Sequence, residues 1–436
     1  MSKIRDRLGE NVLAKRFLGN TGWILFERVL HVLLTLLTTS LTLRYLGTDG
    51  SGMIDYGASY VTIFTILCKL GIDSILVNEI VRGKQKPGEL VGTTIGLRLL
   101  SALLSVVIIA VVVAVLKPGD TEVWIITVIQ SASLLLVSFD TIDFWFQSQL
   151  QSRYTALSKA ISFVLVCGFR LTLIALKADV YWFAFASVMD ALIIGGMLLF
   201  FYRKTATDRL RFSWKTARYL LPLSVPFIVS ALLVTLYTQM DTIMLGSLAP
   251  GDTDSVVGIY NAAAKVCNMW VFVPCAVIDS ARPMIMTQKG VDDESYQKRY
   301  RRLFSAVMWL CILAAIGISL LSKWIIRIIA GEAFAASAPV LVVLIWARLF
   351  SIMGTTRGIW MVCENLSGYV VGFAAAGAVI NFGINFFLIP RMGAMGAAIA
   401  TLITEFIVSV ALNVCFKKTR PLARLIGEAF CLRKLK

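Results

Sequence analysis

Eight of the chain's 42 lysines and arginines fall inside strongly apolar stretches: Arg28, Lys69, Arg98, Arg170, Lys265, Arg282, Arg348 and Arg357. An ionised side chain near a bilayer centre costs several kcal/mol, so it faces a protein interior or a wet cavity. At about 1.5 Å per helical residue, Lys69 lies roughly 13 Å from the inner end of its expected span, and Arg98 about 10 Å from the same side. Lys265, Arg28 and Arg348 are also deep, whereas Arg170, Arg282 and Arg357 lie nearer an end and within reach of headgroups by snorkelling. One use for such charges is pairing with the intramembrane acids Glu27, Asp55, Asp73, Asp140, Asp143, Asp190, Asp241, Asp279 and Glu405. As a set, Arg28, Lys69, Arg98, Lys265 and Arg348 point to a second use. Converging on one cavity they would hold an anion, and diphosphate suits lysine point charges and forked arginine donors best.

The acids carry their own reading. Asp241, which follows Tyr237-Thr238-Gln239-Met240, and the centrally placed Asp190 and Glu405 are candidates for binding a transported proton or sodium ion; a structural pair with a cation is the alternative. The single histidine, His31, lies one turn from Glu27 and Arg28, where helix packing outweighs proton transfer. The aromatic run from Phe139 to Gln147 reads as an interfacial belt. No Gly-Lys-Ser/Thr phosphate loop, His-Glu-x-x-His site or nucleophile elbow occurs, which argues against ATP hydrolysis, a metal centre or any enzyme activity.

These charges must be positioned by membrane spans. In a chain of 436 residues, 58% hydrophobic and only 16% charged side chains exclude a soluble enzyme, because globular proteins are roughly half apolar and about a quarter charged. Apolar runs continue from residue 17 to residue 416, with expected spans at 17–43, 54–78, 91–116, 122–147, 156–176 and 180–202. A second set falls at 218–245, 255–287, 302–321, 336–360, 367–389 and 394–416. The basic first stretch lacks the short apolar core and cleavage site of a secretion signal, so the first run reads as a retained span. The net charge of +16 follows from dispersed cations, which excludes a nucleic-acid module and serves orientation instead. With a cytoplasmic amino terminus, 28 Lys/Arg fall on the inside and 6 outside, so both termini are expected in the cytoplasm. Seven of eight cysteines lie in or beside spans, an arrangement that favours neither disulfides nor a metal cluster. The domains expected are a six-helix lobe over 1–202, a cytoplasmic linker over 203–217, a second six-helix lobe over 218–416 and a basic tail over 417–436. A weak echo between Tyr45-Leu46-Gly47…Tyr56-Gly57-Ala58 and Met244-Leu245-Gly246…Tyr260-Asn261-Ala262 suits parallel repeats.

Several local strings occur in order along the chain: Asn20-Thr21-Gly22-Trp23 leading into Arg28, Arg44-Tyr45-Leu46-Gly47, Leu70-Gly71-Ile72-Asp73, Glu79-Ile80-Val81-Arg82, Gly96-Leu97-Arg98-Leu99-Leu100, Asp143-Phe144-Trp145-Phe146-Gln147 followed by Arg153, and Gln239-Met240-Asp241 through Leu245-Gly246. With them the chain resembles a bacterial or archaeal oligosaccharide flippase family, the polysaccharide-biosynthesis branch of the multidrug, oligosaccharidyl-lipid and polysaccharide exporters. The resemblance implies an all-α polytopic fold of about twelve transmembrane helices, in two MATE-like lobes around a central cavity. It implies transfer of a polyprenyl-diphosphate oligosaccharide to the outer leaflet of a prokaryotic cytoplasmic membrane by alternating access, in a monomer surrounded by membrane lipids. A polysaccharide polymerase or glycosyltransferases are the protein partners it suggests, with no cofactor. Under that reading Arg28, Lys69, Arg98, Lys265 and Arg348 contact the diphosphate. The alternatives are a cation-coupled multidrug exporter, a lipid-linked peptidoglycan-precursor flippase, whose relatives commonly add two spans, and a non-transporting membrane scaffold.

Overall fold

The computed structural model describes the backbone of residues 2–83, 85–206, 208–289 and 291–430. Of the side chains it describes Leu30 and those from Leu34 onward, apart from Ser74, Ser230, Ser367, Arg424, Ile426, Ala429 and Phe430. The side chains of Arg28 and His31 therefore lie outside those described, and Cys431 outside the described residues. The described chain is all-α: α1 Ser2–Lys69, α2 Asp73–Arg82, α3 Pro87–Leu116, α4 Thr121–Ser131, α5 Ser133–Val137, α6 Thr141–Ser148, α7 Ser152–Ala175, α8 Val180–Thr205, α9 Trp214–Leu248, α10 Thr253–Met286, α11 Asp293–Ile329, α12 Ser337–Cys363, α13 Ser367–Phe406, α14 Leu412–Cys415 and α15 Arg420–Phe430. Short 3-10 turns at Ser138–Asp140 and Glu332–Phe334 and a π-helical segment at Ile407–Ala411 complete it.

Among the described residues nine helical stretches are long and apolar enough to cross a membrane. Helix α3 shows why. Ala102, Ser105, Ile109 and Val113 are buried at helical spacing, while Leu103, Leu104, Val107, Val111 and Val115 on the other faces stay exposed. Each such side chain left in water forfeits on the order of 2 kcal/mol, so lipid is the solvent that face requires.

Two of the expected boundaries fall at glycines. Helix α1 would be roughly 100 Å long if straight, several times a hydrocarbon core of about 30 Å. It breaks at Gly47, with φ 66° and ψ −168°, and α13 breaks likewise at Gly393, with φ 52° and ψ −129°. Both are conformations that a side chain disfavours. The expected span 54–78 is not one helix. Leu70 and Gly71 both take positive φ, α1 stops at Lys69, and Asp73 opens α2. The expected span 122–147 is likewise subdivided, through a 3-10 turn that contains Asp140.

By internal packing the chain forms two compact units: residues 1–45 with 57–235, and residues 46–56 with 236–436. The first unit is built on Ile72, Leu76, Leu90, Ile142, Phe146 and Leu198. Trp145 sits edge-on to both Phe146 and Tyr202, with ring centroids 5.0 and 4.9 Å apart. Trp145 and Phe146 are core residues at 9% and 0% exposure, which corrects the interfacial-belt expectation: α6 turns its aromatic face toward α2 and α8. The segment 208–213 packs onto α3, where Arg211 N–H donates to the Gly88 carbonyl at 3.1 Å and Ser213 N–H to Thr93 Oγ1 at 3.0 Å.

The second unit is built on Tyr296, Tyr300, Phe304, Met308, Ile352 and Trp360. Its segment 46–56 lies close against α10. A Cβ on Gly52 would fall 1.8 Å from the Asp254 carbonyl oxygen, and one on Gly258 would fall 2.1 Å from that of Thr48. Backbones this near tolerate only hydrogen at both positions.

Candidate functional site

Each unit carries its own intramembrane charge cluster. In the first unit, Arg98 is fully buried on α3 and its Nη2 donates to Asp73 Oδ1, the first residue of α2. The break at Leu70–Gly71 delivers that acid, because a continuous α1 would carry residue 73 onward along its axis. The guanidinium also lies 5.9 Å from the centroid of Phe144. Its Nε and Nη1 have no hydrogen-bond partner among the described residues. Lys69 ends α1, within electrostatic reach of Asp140, as are Arg98 and Lys159. Lys159 pairs with Asp143 at 3.2 Å, and Asp143 also accepts from Thr155 Oγ1 at 2.8 Å and Gln147 Nε2 at 3.1 Å. Three cations thus face three carboxylates, and Lys69 is the member without an ion pair among the described residues.

Asp190 lies elsewhere in this unit, where it accepts from Ser162 Oγ at 2.5 Å. It borders a cavity of about 190 Å³ with Arg170, and the two are within electrostatic reach. The cation expected at the headgroups thus has an acid for company.

In the second unit, Asp241 is buried on α9 and accepts three hydrogen bonds. Tyr260 OH of α10 donates to Oδ2 at 2.5 Å, Thr401 Oγ1 of α13 to Oδ2 at 2.6 Å, and Asn385 Nδ2 of α13 to Oδ1 at 2.7 Å. Asn385 Nδ2 also donates to Asn381 Oδ1 at 2.9 Å. The donors are neutral, so the carboxylate is oriented without being matched by a cation in contact. On α13, Asn381 Nδ2, Asn385 Oδ1 and Thr404 Oγ1 are buried with no partner among the described residues. Glu405 and Arg348 join the same environment. Both act electrostatically on Tyr237, and Arg348 and Arg357 both act on Glu405.

Lys265 is held by Asp55 at 2.8 Å, a pair that ties α10 to the 46–56 segment. Arg357, placed near the headgroups by its position in the sequence, is instead buried. Its Nη1 donates to the Val408 carbonyl inside the π-helical segment, and its guanidinium lies 5.0 Å from the Phe373 ring centroid. A π turn leaves carbonyls outside the regular ladder, and a buried guanidinium satisfies one of them. Arg282, by contrast, is exposed and lies 3.9 Å from Asp279.

Of the five cations proposed for one anion, Lys69 and Arg98 occur together in the first unit and Lys265 and Arg348 in the second. Asp241 and Glu405 share one polar environment in the second unit, apart from Asp190 in the first. The residues sequence reasoning missed are Tyr260, Asn381, Asn385 and Thr401. Asn381 and Asn385, one turn apart in an otherwise apolar run, were the available signal. Among the described residues no group of three or more His, Cys, Asp or Glu could hold a metal, and the seven described cysteines are free.

Buried charges in a multi-spanning α-fold mark functional sites within the membrane. The family profile described as "Polysaccharide biosynthesis protein" matches residues 17–288, more than half of the chain. The chain belongs to the polysaccharide biosynthesis protein family. The chain is 25% identical over 247 residues to the probable low-salt glycan biosynthesis flippase Agl15 of Haloferax volcanii. That alignment covers 56% of this chain and 50% of the relative. The chain spans about half the length, or less, of the curated relatives it matches. Its fold is similar to that of the lipid II flippase MurJ in an inward closed conformation, with a TM-score of 0.73, 12% identity, and coverage of 95% of this chain and 91% of that one. It is also similar to an inward-facing multidrug resistance MATE family transporter, with a TM-score of 0.67, 13% identity, and coverage of 91% and 96%.

Proposed function

We propose that this protein moves a lipid-linked glycan across the membrane by alternating access. The observation that carries this reading is the family match, extended by an archaeal relative named as a glycan biosynthesis flippase. The buried cations supply the chemistry. A polyprenyl-diphosphate headgroup is an anion that must cross a layer of hydrocarbon, and Lys69, Arg98 and Arg348, with Arg28 and Lys265, are its contacts. Arg98 and Lys265 are engaged by Asp73 and Asp55, so the diphosphate displaces or joins a carboxylate at each. That exchange is how substrate binding would shift a conformational equilibrium, since a ligand does so only through contacts that differ between states.

The architecture we propose for this cycle is twelve spans in two six-helix lobes, with both termini and the segment 203–217 on the cytoplasmic side. Asp241, assisted by Glu405, is the site for a driving proton or sodium ion; the three neutral donors hold its carboxylate in place while leaving its charge for a cation. Asp190, beside Arg170, is the less favoured coupling residue.

A second reading concerns the glycan. The lipid II flippase fold matches 95% of this chain and 91% of that one. On this fold likeness a lipid-linked peptidoglycan precursor is the substrate the structure favours, while the family match favours an oligosaccharide. Both present the same diphosphate to the same cations. The test is movement of a polyprenyl-diphosphate oligosaccharide, of lipid II and of a cationic drug in vesicles of the purified protein under imposed proton and sodium gradients. Movement of either glycan lipid, with little of the drug, is expected and identifies the substrate; drug movement alone would overturn the proposal.

A further inference from the structure

A second basic site lies away from the intramembrane clusters, entirely within the first unit. The segment 208–213 runs back along the start of α3, and between them opens a cavity of about 590 Å³. Four cations line it: Lys86, Arg209, Arg211 and Lys215. All four are exposed, and none makes an ion pair among the described residues. Two acids line it too, Asp208 and Glu89, the latter accepting from Thr216 Oγ1 at 2.7 Å. Four cations against two carboxylates leave a positive excess.

The arrangement is built rather than incidental. Arg211 N–H donates to the Gly88 carbonyl, and a Cβ at Gly88 would fall 2.5 Å from the Arg209 carbonyl oxygen. Gly92 is as tight against the Arg211 backbone, at 2.6 Å. Glycine at these two positions lets the segment seat flush on the helix, which fixes the guanidinium-bearing residues beside Lys86. Helix α3 begins here, and its amino-terminal dipole adds to the positive field. Phe212 on this segment and Trp214 at the start of α9 are exposed, with ring centroids 6.2 Å apart, and Arg218 stands 5.8 Å from the Trp214 ring. Exposed aromatic rings beside unpaired cations mark the level of lipid headgroups.

We propose that this cavity binds a phosphate group, as borne by an anionic phospholipid headgroup or by a free phosphate. Purified full-length protein in detergent is titrated with phosphatidylglycerol, phosphatidylcholine, inorganic phosphate and pyrophosphate. Retained lipid is counted by native mass spectrometry, and the unfolding midpoint is followed for every addition. The wild type should retain phosphatidylglycerol over phosphatidylcholine and be stabilised by it. Lys86→Gln combined with Arg211→Gln should weaken that binding roughly tenfold, whereas Lys298→Gln combined with Arg299→Gln should leave it unchanged. Stabilisation by phosphate or pyrophosphate alone, lost in the same variant, would assign the site to a free anion and still support a phosphate site. Equal retention of the two lipids with no effect of either anion would overturn the proposal. So would phosphatidylglycerol binding equally strong in the cavity variant and in the control.

Discussion

Lys265 Nζ donates to Asp55 Oδ2 at 2.8 Å, across 210 positions of sequence. The pair closes a contact in which Gly52 and Gly258 have already brought two backbones together, so its first role is to hold residues 46–56 on α10. Lys265→Ala and Asp55→Ala should each cost about 1 to 2 kcal/mol, and the double variant less than their sum. Unfolding midpoints of the three variants measure the coupling. Single variants as stable as the wild type would leave Lys265 free for substrate alone.

Asp73 is the counter-ion of a guanidinium that is 0% exposed. Removing it strands a buried charge, so Asp73→Ala is expected to destabilise by about 3 kcal/mol, more than the removal of Asp55. Arg98→Lys should not rescue function, because an ammonium lacks the fork that reaches Asp73 and a diphosphate together. Denaturation and lipid-flipping rates on the same samples check both parts.

Asp241→Asn keeps the shape of the buried network while removing its charge. It should abolish the response of transport to an imposed ion gradient with little change in the unfolding midpoint. Tyr260→Phe and Thr401→Val each delete one of three donors and should slow gradient-driven transport by roughly fivefold to tenfold. Full gradient dependence in the Asn variant would remove Asp241 from the coupling site.

Lys289 lies between α10 and α11, with its ammonium 2.7 Å from Glu364 Oε1. That hydrogen bond holds its pKa above the ordinary lysine value of 10.5. A raised folded-state pKa means that the pair stabilises the protein below that value and is lost as pH rises through the shifted one. The difference in unfolding midpoint between wild type and Lys289→Gln should therefore be full below the ordinary lysine pKa of 10.5 and shrink as pH rises through the raised one. A difference that stayed constant across this range would show that Lys289 contributes through packing.

The proposed orientation places the segment 203–217 in the cytoplasm. A cysteine introduced at Lys204, in a variant freed of native thiols, should react with a membrane-impermeant reagent only after the cells are opened. Labelling in intact cells would reverse the topology.

The membrane character of this chain and the breaks at Gly47 and Gly393 were legible in its residues, because lipid partitioning and backbone sterics act locally. So was the place of Arg98, Asp241 and Glu405 inside apolar stretches, and all three are buried. What each charge touches was not legible. Helical phase and long-range packing decide partners: they gave Lys265 to Asp55 and Arg98 to Asp73. They also drew Arg357 inward to a π-turn carbonyl and turned Trp145 from a belt residue into core. The sequence by itself determined that charge must be carried in apolar surroundings. Only the tertiary structure decided which of those charges neutralise one another and which, like Lys69 and Arg348, have no contact partner among the described residues, because an ion pair is set by distances of a few ångströms between helices far apart in the chain.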